Sequence, residues 1–218
     1  MKHMKRKTFP KNWPIPRKGT KYVVRPNFSP NKGVPLLILL RDMLKIAKNR
    51  KEVKKALHEK KILVNMKPAK DEKNCIQLFD KINLVPSKKY YKLNLSENGK
   101  FNVEEITEAE TNQKVAKIIG KKMLKGKKTQ INLSDGRNFI SDIKCNVDDS
   151  VSIDFKDKKI TKCLPLKEGI NVIVFAGKHM GKRGKILKLK PERKMASLNV
   201  GKEKINVLIK QIMVTDKT

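Results

Sequence analysis

Acidic side chains are scarce in this chain: 21 Asp and Glu stand against 53 Lys and Arg in 218 residues, a formal charge of +32. That imbalance disfavours cationic surfaces as partners and selects a polyanion, nucleic acid before an anionic membrane. Long apolar runs are missing too. The longest begins at Leu36 and falls far short of the roughly 20 residues a spanning helix needs. No apolar signal-peptide core precedes Pro10, so neither a membrane partner nor a secretory leader is expected. Cysteines number three, Cys75, Cys145 and Cys163, none in a C-x-x-C pair. They read as buried or free thiols in a reducing cytoplasm, not as a disulfide scaffold or zinc ribbon. Aromatics make up 5% of the residues, which leaves little surface for stacking on bases.

Catalytic signatures are absent as well. Residues 86–218 hold no G-x-S-x-G, no H-E-x-x-H and no G-x-G-x-x-G between a strand and a helix,. Asp142, Asp148, Asp149 and Asp154 lie among strands and turns with no base or nucleophile at a telling spacing, and they read as turn chemistry and local balancing of lysine. No enzyme, cofactor, metal site or small-molecule substrate is expected.

Residues 1–33 carry Pro10, Pro14, Pro16, Pro26 and Pro30 among interleaved cations. Proline removes backbone donors and biases its predecessor towards extended forms, so an extended basic arm, disordered until bound, is expected here. Trp13, the single tryptophan, either packs on the fold or stacks on a base. His3 either touches phosphate or is an inert solvated side chain.

Residues 34–85 open with Leu36–Leu40 and continue at helical spacing through Met43, Leu44, Ile46 and Ala47, with Arg41, Lys45 and Lys48 on the opposite face. A second amphipathic piece runs from Glu52 to Leu57, with Lys54 and Lys55 between Val53 and Ala56. Strand-like Ile62–Val64, an Asn65–Pro68 turn and Cys75–Phe79 follow. Two helices on a small sheet, one of them with a basic face, present a rigid cationic surface to phosphates. An ordinary solvated face is the alternative. The pattern resembles the alpha-L RNA-binding motif.

Residues 86–166 read as an antiparallel β domain. Tyr90–Leu95 and Phe101–Ile106 flank Asn98-Gly99, a hairpin signal because both residues tolerate positive φ. Thr107–Glu110 forms a capping box that predicts a short helix carrying Val115, Ile118 and Ile119. A lysine loop follows (Lys121, Lys122, Lys125, Lys127 and Lys128), and it meets either RNA or water. Asp135-Gly136 and Asp157-Lys158 mark two further hairpins.

Residues 167–218 place strand Val172–Phe175 before the loop Gly177–Gly184, then Ile186-Leu187. Glycines allow close approach, so the loop's N–H groups and cations are expected to lie along a phosphate chain. A P-loop is excluded, since no GK[ST] follows and the next element is a strand. The loop resembles a KOW motif, which implies an SH3-like barrel completed by Ala196–Val200, the turn Gly201–Glu203 and Lys204–Ile209.

The spacing of His3, Lys5-Arg6, Pro10, Trp13, Ile15 and Arg17 resembles the N-terminal signature of the small-subunit ribosomal protein four-e family, archaeal and eukaryotic type, although Lys7 and Thr8 depart from it. The resemblance implies an α+β chain of four segments: the arm 1–33, the alpha-L module 34–85, the antiparallel β domain 86–166 and the SH3-like KOW barrel 167–218. It also implies a structural role in the cytoplasmic ribosome, with small-subunit ribosomal RNA and neighbouring small-subunit proteins as partners. A KOW-type transcription or assembly factor would need an acidic or polymerase-docking domain, and an RNA-modifying enzyme would need a catalytic domain beside the alpha-L module; neither is visible. The expected RNA contacts are His3, Lys5, Arg6, Lys11, Trp13 and Arg17 in the arm. On the helices they are Arg41, Lys45, Lys48, Arg50, Lys54, Lys55 and Lys61. In the glycine loop they are Lys178, His179, Lys182, Arg183 and Lys185. Arg6 and Arg41 are expected to outweigh nearby lysines, because guanidinium forks grip phosphate in a bidentate way.

Overall fold

The computed structural model describes residues 3–141, 143–201 and 203–215, apart from the side chain of Lys127. Asp142, Lys202 and the Lys127 side chain, which figured in the expectations above, lie outside the described residues. The chain divides into two compact units: Met1–Ser96 with Lys100–Asn112, and Glu97–Gly99 with Gln113–Thr218.

In the first unit the N-terminal segment is folded back on itself, where an extended, disordered arm was expected. β1 (Met4–Lys5) pairs antiparallel with β2 (Tyr22–Val23). Phe9 and Trp13 are 3% and 1% exposed, their rings stacked at 5.8 Å. The Trp13 indole N–H donates to the carbonyls of Pro30 at 3.1 Å and Gly33 at 2.9 Å. Two buried aromatics supply the core that composition alone did not promise, and the prolines lower the entropy lost along this irregular path.

β3 (Gly33–Pro35) pairs with β6 (Cys75–Gln77). α1 (Leu36–Ile38) starts at once and widens into a π turn over Leu39–Met43. Its first N–H groups, from Leu36 and Leu37, donate to Asn74 O and Glu72 O at 2.9 and 3.0 Å, which satisfies donors that a helix start leaves open. The helix is shorter than its spacing predicts. Leu44 N–H reaches back to Leu39 O, Ile46 N–H to Leu40 O, and Lys45 adopts φ 54°. Leu36–Leu40 are all buried, as in a helix hydrophobic all round, and the chain unwinds where that burial ends,.

α2 (Arg50–His58) buries Val53 and Leu57. β4 (Ile62–Val64) and β5 (Lys67–Pro68) form a tight hairpin with Asn65 and Met66 both at positive φ. With β7 (Lys81–Leu84), β8 (Lys89–Leu95) and β9 (Phe101–Ile106) they make an antiparallel sheet in the order β5-β4-β7-β8-β9.

The second unit begins with β10 (Gln113–Met123), which corrects the helix expected over Val115–Ile119. Only a 3-10 turn, Glu108–Asn112, precedes it. The capping signal is local, whereas β-branched Val115 and Ile118 sit in the central strand of a sheet, paired with Ser152 on one side and Leu133 on the other, and Ile119 is the exposed extra residue at a bulge,. That sheet adds β11 (Thr129–Leu133), β12 (Asn138–Ile140), β13 (Ser150–Asp154) and β14 (Lys159–Leu164), in the order β12-β11-β10-β13-β14. Its core gathers Ala116, Ile118, Ile131, Leu133, Val151 and Ile153. The C-terminal sheet consists of β15 (Asn171–Val174), β16 (Arg183–Lys190), β17 (Met195–Val200), β18 (Glu203–Leu208) and β19 (Ile212–Val214), in the order β18-β17-β16-β15-β19. β19 was not foreseen; it pairs with β15 and closes over the core of Val172, Val174, Ile186, Leu198 and Ile212.

Buried polar groups tie these two sheets together. The Lys117 ammonium on β10 donates to Ile209 O and, at 3.0 Å, to Ile212 O, and pairs with Asp148 at 2.9 Å. Ser150 Oγ accepts from Val214 N–H at 3.0 Å. Burial pushes the Lys117 ammonium below its ordinary range, against the pull of Asp148. Nearby, Lys114 and Asp135 form a buried pair at 3.1 Å. Burial raises the Asp135 carboxyl, but Lys114, the Arg137 N–H and the Arg137 guanidinium together hold it below its ordinary value.

Candidate nucleic-acid interface

The expected arm contacts divide by burial. His3, Lys5, Lys11 and Arg17 are exposed, and His3 lies against the Tyr22 ring at 5.5 Å. Trp13 is buried and hydrogen-bonded, so it is a core residue of the arm and not a surface for a base. Arg6 is engaged by the arm itself. Its Nε donates to Thr20 O at 2.8 Å, Nη1 to Pro16 O at 2.7 Å and Nη2 to Thr20 Oγ1 at 2.8 Å. The fork expected to grip phosphate clamps a loop instead. Arg17 stacks its guanidinium 4.6 Å from the Phe9 ring while its outer face stays exposed.

On the helices, Arg41 pairs with Asp42 through two hydrogen bonds at 3.2 and 2.8 Å, which removes the advantage expected of its fork. Arg50 is bidentate to the buried Glu72 carboxylate, fixing α2 against the loop before β6. The hydrogen bond from Arg50 is the largest reason the Glu72 carboxyl lies below its ordinary range. Lys61 pairs with Glu59. Glu52 anchors the start of α2, accepting from Lys48 N–H at 2.7 Å and from the Asn49 amide at 3.2 Å. What remains on the solvent side of α2 is a stripe of Lys51, Lys54, Lys55 and His58, all exposed. Lys51 and His58 were missed, although both lie three or four residues from an expected contact, the spacing of one helix face. Lys45 and Lys48 are exposed in the preceding loop.

The glycine loop between β15 and β16 differs from its expected role. Gly181 N–H donates to Val174 O at 2.8 Å, Met180 N–H to Gly177 O at 3.2 Å and Lys182 N–H to His179 O at 3.2 Å. These N–H groups point into the loop, so its side chains are left to meet a ligand. Gly177 holds φ 89° with Gln211 so close that an added Cβ would sit 2.7 Å from its Oε1, and at Gly184 it would sit 2.1 Å from Asn199 O. The glycines therefore serve packing. Lys182 is paired with Glu203 at 2.9 Å, and that hydrogen bond lowers the Glu203 carboxyl. Lys178, Arg183 and Lys185 are exposed, and His179 is half-buried.

β16 extends this surface in a way the sequence pattern concealed. Its pairing with β17 shifts register between Ile186 and Lys188, leaving Leu187 as the extra residue. Side chains alternate across a strand, so one extra residue reverses the parity. Lys185, Lys188 and Lys190 pair with Asn199, Ser197 and Met195, which share one face of β17. Arg183 shares the parity of Lys185 in the pairing with β15. Four cations thus stand on the solvent side over Asn199, Ser197 and Asn206, the last two hydrogen-bonded at 2.7 Å. Lys121, Lys122, Lys125 and Lys128 are exposed around Gly126. Among the described residues no three His, Cys, Asp or Glu side chains gather as metal ligands would, and no helix is long and apolar enough to cross a membrane.

Comparison with known proteins adds to this geometry. A family model described as Ribosomal family S4e matches residues 87–160, and one described as RS4NT (NUC023) domain matches residues 1–30. The small ribosomal subunit protein eS4 of Methanocella arvoryzae is 38% identical over 197 residues, covering 89% of this chain and 83% of the relative. Its counterpart in Methanothermobacter thermautotrophicus is 34% identical over 191 residues, covering 86% of this chain and 79% of the relative. The crystal structure of the 30S ribosomal protein S4e from Thermoplasma acidophilum matches with a TM-score of 0.72 at 22% identity, over 84% of this chain and 94% of that one. That likeness concerns the fold: mostly β, with two short helices.

Proposed function

This chain belongs to the small ribosomal subunit protein eS4 family, and from that premise we propose how it holds ribosomal RNA. It is a structural constituent of the small ribosomal subunit and not an enzyme. It grips folded RNA by the phosphate backbone through separate cationic faces, one on each compact unit, and reads shape more than sequence. The first face is the α2 stripe with Lys45 and Lys48. The second is the outward side of β16 with Lys178 at the loop. The observation that carries this reading is the alignment of Arg183, Lys185, Lys188 and Lys190 along one face of a single strand, with Lys185 and Lys188 opposite Asn199 and Ser197. Residues 34–85 act as an alpha-L module, a reading supported by two short helices beside the β4–β5 hairpin. Residues 167–218 act as a KOW barrel, supported by the glycine loop leading into β16. His3, Lys5, Lys11 and Arg17 add arm contacts, whereas Arg6 contributes by shaping the arm.

The edge strand β9 faces a different partner. Glu104 and Glu105 on it, and Glu108 and Glu110 just after, are exposed carboxylates in a strongly cationic chain. They repel phosphate, so a neighbouring small-subunit protein meets this edge. Lys51, Lys54 and Lys55 changed together to Gln test the first face. Each phosphate contact contributes about 0.7–0.9 to the slope of log affinity against log salt, so the triple variant is expected to flatten that slope by about 2 for small-subunit RNA. An unchanged slope overturns the assignment of α2.

A further inference from the structure

Two thiols that lie 18 positions apart in sequence (163 − 145) meet in the fold. Cys145 lies in the loop between β12 and β13, and Cys163 on β14 opposite Val151. Both pack in the apolar cluster of Ala116, Ile131 and Val151. Cys145 is 3% exposed, while Cys163 is half-buried and open to small solutes. Cys145 is one of the buried residues of that cluster and Cys163 packs against it, both as free thiols. Cys75 takes no part: it is buried in the other unit, its Sγ 3.9 Å from Ser29 O.

We infer that Cys145 and Cys163 form a dithiol modification site, which a low-molecular-weight disulfide converts into an intramolecular disulfide. The Cys163 thiolate attacks one sulfur of the small disulfide, forming a mixed disulfide and expelling one small thiolate. The Cys145 thiol then loses its proton to solvent and attacks the Cys163 sulfur, expelling the second. Two protein thiols are oxidised, the small disulfide is reduced to two thiols, and two protons pass to them through solvent. The accessible thiol starts the exchange and the buried neighbour resolves it, the division of labour this chemistry favours. Burial first, then Cys145 and Asp149, push the Cys163 thiol up to about 12, against the opposing charge of Lys121. The pair therefore stays reduced at neutral pH in a reducing medium and reacts as alkalinity or disulfide concentration rises.

The test incubates the folded full chain with oxidised glutathione and follows intact mass and a non-reducing peptide map. The expected product has lost two hydrogens, carries no glutathione, links the Cys145 and Cys163 peptides and leaves Cys75 alkylatable. Its formation rate rises about tenfold per pH unit between pH 7 and 9, following the thiolate fraction. Cys145→Ser is expected to stop at a lasting glutathione adduct on Cys163, and Cys163→Ser to react with neither; circular dichroism checks that each variant folds, and Ala variants replace any that do not. A wild-type product that halts as the Cys163 adduct overturns the inference. So does a crosslink that forms only after unfolding in urea.

Discussion

Replacing Lys117 by Met tests whether a buried cation of this protein serves the fold and not the RNA. The Lys117 side chain is 3% exposed and its ammonium serves Ile209 O, Ile212 O and Asp148. Methionine fills the stem but leaves the Ile212 carbonyl, buried in this contact, without its donor, at about 1–3 kcal/mol, whereas the Ile209 carbonyl keeps the Ile212 N–H. Asp148 is 40% exposed and rehydrates, so its lost partner adds little. Freeing the ammonium from its desolvation offsets part of the loss. The net is a destabilisation of about 1–3 kcal/mol, less than the roughly 3–5 kcal/mol that breaking a fully buried pair costs. Urea denaturation followed by circular dichroism is expected to show a lower midpoint with an unchanged slope, and hydrogen exchange to speed up in residues 209–214. Binding to small-subunit RNA by the folded variant is expected to keep the wild-type salt slope. An unchanged midpoint refutes the clamp; a flatter salt slope refutes the claim that Lys117 is no phosphate ligand.

Further outcomes follow from the same structure. Arg6→Lys loses the fork that joins Pro16 and Thr20, and is expected to speed hydrogen exchange across residues 16–21 before it alters RNA affinity; a loss of affinity with protection intact refutes this. Trp13→Ala empties the arm's small core and is expected to cost about 3–5 kcal/mol, read from thermal unfolding; retained stability contradicts the packing role. The folded Asp135 carboxyl lies below its ordinary 3.8, so its contribution is present above that pH and lost as pH falls through the folded value. Asp135→Asn is expected to weaken the acid dependence of unfolding below about pH 4, and an identical acid profile removes this account. Deleting Leu187 restores strict alternation in β16 and is expected to leave a folded protein whose RNA affinity matches wild type within about threefold, or ~0.7 kcal/mol; a chain that fails to fold refutes the bulge assignment.

The residues themselves determined a good deal. Charge imbalance selected a polyanion, and short-range turn chemistry marked a turn over Asn65–Pro68 and the hairpins at Asn98-Gly99, Asp135-Gly136 and Asp157-Lys158. The N-terminal spacing from His3 to Arg17 pointed to the family that the comparisons identify. Such signals act between neighbours a few residues apart, so they survive without a three-dimensional frame. The tertiary structure decided which cations face outward. Lys117 is drawn inside by carbonyls 92 and 95 residues away, and Arg6 is consumed by a loop that exists only once the arm folds. The strand at Val115–Ile119 overruled a local helix signal because distant strand partners became available, Ser152 for Val115 and Leu133 for Ile118. A single extra residue at Leu187 turned a broken alternation into one cationic face. Charge can be counted along a chain, but its presentation depends on long-range partners, because only burial and pairing determine which ammonium groups still face water.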